Sequence, residues 1–401
     1  MKQTSLILLL VGIFQISFLA GARADVLDNW TTNQITTNSF GMNHIVFGNG
    51  IYVAYGAFLD FGGFYTSVDG LNWKLQYTEP NSWLNTLNYS EGHFASVRYN
   101  DGASVADVSG DGTNWTTSFF SGVSYYFVPE AITYGNGLYT VVGYIQTNNV
   151  GNILTSPDGV TWTPASFYPS AGGPIVSVAY SPYFDMFIAL GNNDGYEYVY
   201  YNGWDSWYQS SIPGGNKISY ANGLFFVPLN NKTNLLSDDG WDWSLNSTGL
   251  TNMLGAVTYG NGTYMAQCGF SSSGSYLATS TDGTNWFQYE KPLPNHSSLD
   301  VSLATDGTRL VAVGATGSVF YNGFIYTSDP LVGIRMTNNP SPNIAISGLV
   351  GRKYQIQSTD ALGGGNSWRT NATLQLTNTP YIWTDTTATN SARFYRGVLL
   401  P

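Results

Sequence analysis

The chain has a single cysteine and no long apolar segment after its first 24 residues. One cysteine excludes an internal disulfide, so burial and hydrogen bonding must stabilise the fold. Neither His nor Lys stands beside Cys268, and we therefore expect a small buried residue there and not a reactive thiol. The lack of a further apolar segment argues against a transmembrane helix in the mature chain.

Basic residues are also scarce, with 14 Lys and Arg against 25 Asp and Glu in 401 residues. Residues 25–330 contain 6 basic and 23 acidic side chains, whereas residues 331–401 contain 6 and 2. Because phosphate binding needs clustered Lys and Arg, we expect no nucleic-acid partner. His44, His93 and His296 lie in separate repeats without partners at ligand spacing, so we expect no metal and no cofactor.

The N terminus has the features of a secretory signal peptide. Lys2 precedes an apolar run over residues 6–19, and Ala22-Arg-Ala24 provides a small-residue cleavage site. A retained membrane anchor is the alternative, but the apolar run is short for a bilayer span. We expect residues 1–24 to be removed and the protein to be periplasmic, on the cell surface or extracellular.

A motif of seven residues, Ser-x-Asp-Gly-x-x-Trp, recurs along most of the chain, and each copy is called a box below. Its Gly supplies the positive φ of a tight hairpin, its Asp accepts hydrogen bonds from turn amides, and its Trp starts the next strand and packs on a neighbouring repeat. A decayed copy spans residues 202–207. The fixed residues of the five complete boxes are Ser67, Asp69, Gly70 and Trp73; Ser109, Asp111, Gly112 and Trp115; Ser156, Asp158, Gly159 and Trp162; Ser237, Asp239, Gly240 and Trp243; and Ser280, Asp282, Gly283 and Trp286.

A second turn signal, Asn-Gly or a related pair, lies about twenty residues before each box. Each repeat is thus predicted to be a four-stranded antiparallel unit of about 36 to 48 residues, the size of a propeller blade. The seventh repeat, around Asp306-Gly307, lacks a Trp strand, and residues 28–37 supply one. We therefore predict an all-β fold: a seven-bladed β-propeller over residues 25–330, closed by an N-terminal strand.

The repeat stops after Pro330. Short strands separated by Gly and Pro breakers predict a small β-sandwich-like module over residues 331–401. Since strands alternate faces, Arg393 and Arg396 should point in opposite directions, which favours a structural end-module over an anchor for anionic polymers.

The boxes resemble the Asp-box, or BNR, repeats of sialidase-superfamily propellers over residues 25–330. The stretch Gly351-Arg-Lys-Tyr-Gln-Ile-Gln-Ser358, together with Ala392-Arg-Phe-Tyr-Arg396, is similar to a small β-module that ends many large secreted proteins of environmental bacteria. The resemblance implies that the boxes lie on the face opposite an active site. Sialidases hold the substrate carboxylate with three arginines, but residues 25–330 contain only Arg98 and Arg309. Sialidase activity is therefore not expected.

The boxes and the Asn-Gly turns should share one end of the blades, called the box face, and the longer connections should form the opposite loop face. Ligands are expected on the loop face, where off-period aromatic residues can stack on sugars or pack on a protein. The predicted ligand-binding residues are Trp83, Tyr125, Tyr126, Tyr168 and Arg98. Phe119, Phe120 and Phe127 belong to the same group, and packing within the loops is an equal alternative for all the aromatic residues.

Two functions follow from these features. The first is an exported, monomeric, non-catalytic propeller that binds a glycan or a protein through its loop face. The second is a carbohydrate-active enzyme, a glycoside hydrolase or lyase, with a pair of loop-face carboxylates. The candidate acids for that pair are Asp60, Glu79, Glu130, Asp194 and Glu290.

Overall fold

A computed structural model describes most of the chain after the predicted signal peptide. The described residues are 27, 30–34, 41–58, 61–80, 82–100, 103–120, 126–168, 173–192, 196–201, 206–229, 232–260, 262–271, 274–289, 293, 301–307, 309–315, 323–328, 332–337, 343–348, 353–359, 368–377, 381–387 and 393–400. Their regular structure consists of 35 β-strands. Within these ranges, no helix has the length and apolarity needed to cross a membrane.

Seven sheets, called blades, follow one another in the chain after the first strand, β1 (Trp30–Gln34). Blade 1 contains β2 (Gly41–Gly48), β3 (Ile51–Phe58), β4 (Phe61–Ser67) and β5 (Lys74–Pro80). Blade 2 contains β6 (Ser82–Ser90), β7 (His93–Asn100), β8 (Ala103–Ser109) and β9 (Thr116–Phe119). Blade 3 contains β10 (Phe127–Gly135), β11 (Leu138–Ile145), β12 (Val150–Ser156) and β13 (Thr163–Pro164).

The remaining blades continue this order. Blade 4 contains β14 (Phe167–Tyr168), β15 (Ile175–Ser181), β16 (Met186–Gly191), β17 (Tyr196–Tyr201) and β18 (Trp207–Ser211). Blade 5 contains β19 (Ser219–Ala221), β20 (Leu224–Pro228), β21 (Thr233–Ser237) and β22 (Ser244–Ser247). Blade 6 contains β23 (Leu254–Gly260), β24 (Thr263–Ser271), β25 (Gly274–Ser280) and β26 (Trp286–Gln288). Blade 7 contains β27 (Ser302–Thr305), β28 (Leu310–Ala315) and β29 (Gly323–Ser328).

The blades form a closed ring. The inner strands are β2, β6, β10, β15, β19, β23 and β27; each contacts the inner strand of the next blade, and β27 contacts β2. This arrangement agrees with the seven blades expected from the repeats. Strand β1 lies antiparallel to β29, with Trp30 opposite Ser328 and Gln34 opposite Phe324. The N-terminal strand therefore completes blade 7, as the sequence predicts.

Both predicted turn types occur at the same end of the blades. In blade 1, Asn49 and Gly50 have φ values of 48° and 77°, the two positive values that a tight I′ hairpin turn needs. The box of blade 2 shows the second type: Ser109 Oγ accepts a hydrogen bond from Gly112 N, and Asp111 Oδ1 accepts two from Thr113 N and Asn114 N. These donors, the Asn114 N–H first, hold the pKa of Asp111 well below its usual value.

The Trp at the start of each outer strand packs against the preceding blade. Trp115 stacks on Phe64 of blade 1 with ring centroids 4.3 Å apart. The box glycine permits this approach, because a Cβ on Gly112 would lie 2.7 Å from Val53. The equivalent aromatic residues at the other interfaces are Trp30, Trp73, Trp162, Trp207, Trp243 and Trp286.

Blade 4 departs from the regular pattern. The connection from blade 3 forms β14, which pairs in parallel with the outer strand β18, so that Phe167 lies opposite Trp207. The decayed box occupies the turn before β18, and its residues 202–205 lie outside the described residues. The sequence did not predict the extra strand.

Two three-stranded sheets follow the ring. Their strands are β30 (Val332–Thr337), β31 (Asn343–Gly348), β32 (Lys353–Thr359), β33 (Arg369–Gln375), β34 (Tyr381–Thr384) and β35 (Phe394–Leu399), in the orders β30-β31-β34 and β33-β32-β35. Arg393 pairs with the buried Asp385 at 2.8 Å, whereas Arg396 lies 4.3 Å above the ring of Trp368. The two arginines thus have different partners.

Candidate binding site

Five inner strands carry a β-bulge at the same height, towards the loop face. The extra residues in blades 1 to 4 are Asn43, Asn85, Glu130 and Val176, and blade 6 has its bulge between Leu254 and Val257. Each of the four named residues stands six positions before the turn at the box face. A bulge twists the strand and redirects its side chains. The repeated bulges therefore surround one end of the central channel, which we call the channel mouth.

Two basic residues stand at the height of the channel mouth. His44 follows the bulge of blade 1, and Lys217 precedes β19 at the same height in blade 5. Burial, and then the charge of Lys217, lower the pKa of His44 to about 4, although its ring donates a hydrogen bond to the Leu84 carbonyl. Blades 1 and 5 are not neighbours, but His44 lies in the inner strand β2 and Lys217 lies just before the inner strand β19, so both residues stand beside the central channel. His44 is therefore neutral at physiological pH.

Glu130 adds a carboxyl group to the channel mouth. Its side chain is half-buried, and burial raises its pKa. The bulges of blades 2 and 3 are joined directly, because Asn85 Nδ2 donates a hydrogen bond to the Pro129 carbonyl. The mouth thus combines a neutral imidazole, an ammonium group, a carboxyl group and side-chain amides.

The structure places few of the predicted acids. Asp60, Asp194 and Glu290 lie outside the described residues. Glu79 lies in β5 opposite Gly62, and the structure describes only its backbone. A catalytic carboxylate pair that includes Glu130 therefore stays a prediction. In the described part of the chain, no group of three or more His, Cys, Asp or Glu side chains is arranged to hold a metal.

The predicted loop-face aromatic residues divide into two classes. Phe119 and Tyr126 are 61% and 52% exposed. Phe120 packs edge-on against Phe127 and Trp162, with ring centroids 5.3 Å and 5.2 Å apart, so Phe120 and Phe127 belong to the interface of blades 2 and 3.

Two of the other three aromatic residues lie in strands. Trp83 lies opposite Tyr99, and Tyr168 lies opposite Tyr208, with only their backbones described. Tyr125 lies outside the described residues.

Arg98 requires a correction. Its side chain is 0% exposed and forms an ion pair with Asp107, with Nε 2.6 Å from Oδ2 and Nη2 3.0 Å from Oδ1. Ser96 and Thr117 also donate hydrogen bonds to this carboxylate. A guanidinium enclosed in this way presents no surface to a ligand, so the expected binding role of Arg98 does not fit its position.

Sequence reasoning missed His44 and Lys217. The sequence alone suggests His44 only as a possible metal ligand and Lys217 only as part of the net charge. One feature of the sequence could have linked these two residues, namely their spacing from the Asn-Gly turns. His44 stands five residues before Asn49, and Lys217 stands five residues before Asn222. Equal spacing from equivalent turns places side chains at equal height in a ring of repeats.

Comparison with known proteins shows the fold. No family model matches the chain, and a search of curated proteins finds no match. Solved structures do match. One described as YCF48 bound to D1 peptide has a TM-score of 0.53 and 16% identity, over 78% of this chain and 97% of that chain.

Two further structures have the same architecture. YCF48 from Cyanidioschyzon merolae has a TM-score of 0.51 and 14% identity, over 74% of this chain and 98% of that chain. A chain of the mitotic checkpoint complex has a TM-score of 0.54 and 9% identity, over 78% and 97%. The chain is a β-propeller. At these identities the likeness concerns the propeller fold alone.

Proposed function

We propose that this chain is an exported, monomeric, non-catalytic propeller of the Asp-box type that binds a protein segment through its loop face. The observation that carries the proposal is the position of His44 and Lys217, which stand at the same height of the channel mouth in blades 1 and 5. One ammonium group, one neutral imidazole and the amides of Asn43 and Asn85 suit the carbonyl groups and a carboxylate of a peptide. The exposed rings of Phe119 and Tyr126 extend this surface outwards.

The structural comparison supports a peptide partner. One of the matching propellers is YCF48 bound to D1 peptide. A glycan at the loop face is the alternative partner, and the experiment below separates the two.

The position of the arginines supports a non-catalytic role. Arg98 is enclosed with Asp107, and Arg309 Nη1 donates a hydrogen bond to the Ser328 carbonyl in blade 7. Neither can join an arginine triad of the sialidase kind at the loop face.

Selection of peptides displayed on phage against the immobilised mature protein tests the proposal. We expect enriched peptides to bind about tenfold more weakly to Lys217→Gln. Lys74→Gln, which removes the same charge from an exposed position on β5, should leave binding unchanged. An equal loss of peptide affinity in Lys217→Gln and Lys74→Gln would reject a peptide site at the channel mouth. Binding of glycans on parallel arrays, with no peptide enriched, would reject it as well.

A carbohydrate-active enzyme is the second candidate function, and the raised pKa of Glu130 is the observation in its favour. A carboxyl group whose pKa is raised by burial is better suited to act as a general acid than a fully solvated one. A hydrolysis screen on polysaccharides tests this function. Turnover that is abolished in Glu130→Gln, with folding unchanged, would replace the non-catalytic proposal.

Export is tested separately. Fractionation of cells that produce the tagged full chain should recover a protein whose N terminus begins at about Asp25, outside the cytoplasm. Recovery of the uncleaved chain from the cytoplasm would contradict export.

A further inference from the structure

A cleft of about 230 Å³ lies between blades 3 and 4, away from the channel mouth. It is lined by the start of β11, the end of β12, the connection after β13 and the strands β16 to β18 of blade 4. This is the interface where the box is decayed and where β14 joins the edge of blade 4. The cleft therefore coincides with the main irregularity of the ring.

The cleft contains an unused hydrogen-bond donor. Six of the seven outer-strand tryptophans donate their indole N–H to an acceptor: Trp30 to Leu27 O, Trp73 to Gly70 O, Trp115 to Gly112 O, Trp162 to Ser118 Oγ, Trp243 to Glu197 Oε2 and Trp286 to Gly283 O. Trp207 also lines the cleft and is only 2% exposed, yet its Nε1 has no hydrogen-bond partner among the described residues. A donor that the protein leaves unused at the wall of a cleft is available to a ligand or to water.

A second polar group lies in the wall of the same cleft. Thr140 is 1% exposed, and its Oγ1 has no hydrogen-bond partner in the structure. Val53 in blade 1 and Val311 in blade 7 stand at the equivalent position, one residue into the apolar part of the second strand. Blade 3 thus has the polar Thr140 where blades 1 and 7 have an apolar valine, and the Thr140 hydroxyl group forms no hydrogen bond with the protein.

The lining indicates the class of ligand. None of its described side chains is charged, and it offers the hydroxyl groups of Thr155, Ser166 and Ser206. The rings of Tyr200 and Trp207 lie 5.6 Å apart and are inclined by 32°. Hydroxyl groups that both donate and accept, next to aromatic rings, match a neutral polyhydroxylated ring.

Strand β18 has no free edge for an extended peptide. An extended peptide binds by adding to a free strand edge, but β18 is already paired with β17 on one side and β14 on the other. The volume is also below the roughly 300–1,000 Å³ of sites for drug-sized ligands. These observations favour a single small ring.

We propose that the cleft between blades 3 and 4 binds one neutral sugar unit, with Trp207 Nε1 as a donor to a sugar hydroxyl and Tyr200 as a wall against the ring. This site is separate from the channel mouth, so the protein can hold a carbohydrate at its side and a protein segment at its loop face. Neither site depends on the other.

Indole NMR on the mature protein with ¹⁵N-labelled tryptophan tests the proposal. The probes are glucose, galactose, mannose and N-acetylglucosamine, added singly up to about 50 mM, because a single sugar unit is expected to bind in the millimolar range. We expect at least one of these sugars to shift the Trp207 indole resonance, which Trp207→Phe assigns by its disappearance.

Variants separate binding from folding. Trp207→Phe keeps an aromatic ring but removes the N–H, and should weaken sugar binding by about tenfold. Trp162→Phe makes the same change at an interface where the N–H is bonded within the protein, and should leave binding unchanged. Ser166→Trp, at an exposed wall position, should block the cleft while Nε1 is retained.

Three outcomes would overturn the proposal. The first is the absence of any sugar-dependent shift of Trp207 in the folded protein. The second is equal weakening by Trp207→Phe and Trp162→Phe. The third is binding at the cleft of a peptide and none of the four sugars.

Discussion

Trp243 Nε1 donates a hydrogen bond to Glu197 Oε2 across the boundary between blades 5 and 4, at 3.1 Å. The carboxyl group replaces the apolar side chains found at this position in other blades, such as Phe64 in blade 1 and Ile153 in blade 3. Glu197 is 1% exposed, and burial raises its pKa to about 7. Folding therefore favours the protonated acid.

Glu197 should make stability fall as pH rises. Its folded-state pKa lies above the unfolded value of 4.5, so its contribution is complete below about pH 4.5 and is lost as pH rises through 7. The loss amounts to about 3 kcal/mol. Urea unfolding at pH 5 and pH 8 measures it: Glu197→Gln should reduce the difference between the two pH values. Glu91→Gln, at an exposed turn, is the matched control and should reproduce the difference seen in the unchanged protein.

The buried pair of Arg98 and Asp107 should be sensitive to the loss of one partner. Asp107→Ala leaves an enclosed guanidinium without its carboxylate and should lower the free energy of unfolding by about 3–5 kcal/mol. The double variant Arg98→Met with Asp107→Leu removes both charges and should recover most of that loss. A double variant less stable than Asp107→Ala in urea unfolding would show that the pair itself stabilises blade 2.

Closure of the ring by β1 should be required for stability. A mature chain that starts at Ser39 lacks Trp30 and the strand that pairs with β29, which leaves an open edge and an unfilled site beside Leu277. We expect a lower thermal midpoint and aggregation or loss of cooperativity, measured by calorimetry and light scattering. A chain that starts at Asp25 is the control, and equal midpoints for the two chains would mean that the ring does not need β1.

The box glycines should tolerate substitution less than the glycines of the Asn-Gly turns. Gly92 has φ +86° and no atom within 4 Å of an added Cβ, so Gly92→Ala should cost about 1–2 kcal/mol from backbone strain alone. Gly112 has φ +74°, and an added Cβ would lie 2.7 Å from Val53. Gly112→Ala should therefore cost a further 1–3 kcal/mol or so. Equal unfolding free energies for the two variants would contradict a close contact between the box and the preceding blade.

Local patterns made the fold predictable from the sequence. The box turn depends on four residue types within seven positions, and its hydrogen bonds stay inside that segment, as Ser109 and Asp111 show. The Trp at the end of the box repeats with the blades, so its packing on the neighbouring blade also follows from spacing. The closing strand was predictable because blade 7 lacked its Trp and residues 28–37 supplied one.

The site was less predictable because its residues come from blades that are distant in sequence, and only the closed ring places them at one height around the channel. His44 and Lys217 come from blades that are not adjacent, and a bulge shifts the alternation that would assign a side chain to a face. The sequence does not show that Arg98 is enclosed. Its partner Asp107 lies on the neighbouring strand, and the pairing register of the two strands decides whether the two side chains meet. The sequence cannot show that the Trp207 N–H is unused, because Trp207 has the same place in its repeat as the six outer-strand tryptophans whose N–H groups donate hydrogen bonds.

The pairing of Trp30 with Ser328 also sets the order in which the propeller can form. Blades 1 to 6 each join strands that are close in sequence, so they can assemble as the chain emerges. Blade 7 joins residues about 300 positions apart and has to wait for both ends. Until then, β29 and the apolar surface of blade 6 that receives Trp30 are uncovered. The first strand to be synthesised is thus the last to pair. Until it does, the uncovered edge of blade 7 is the place where the partly folded propeller is most open to aggregation.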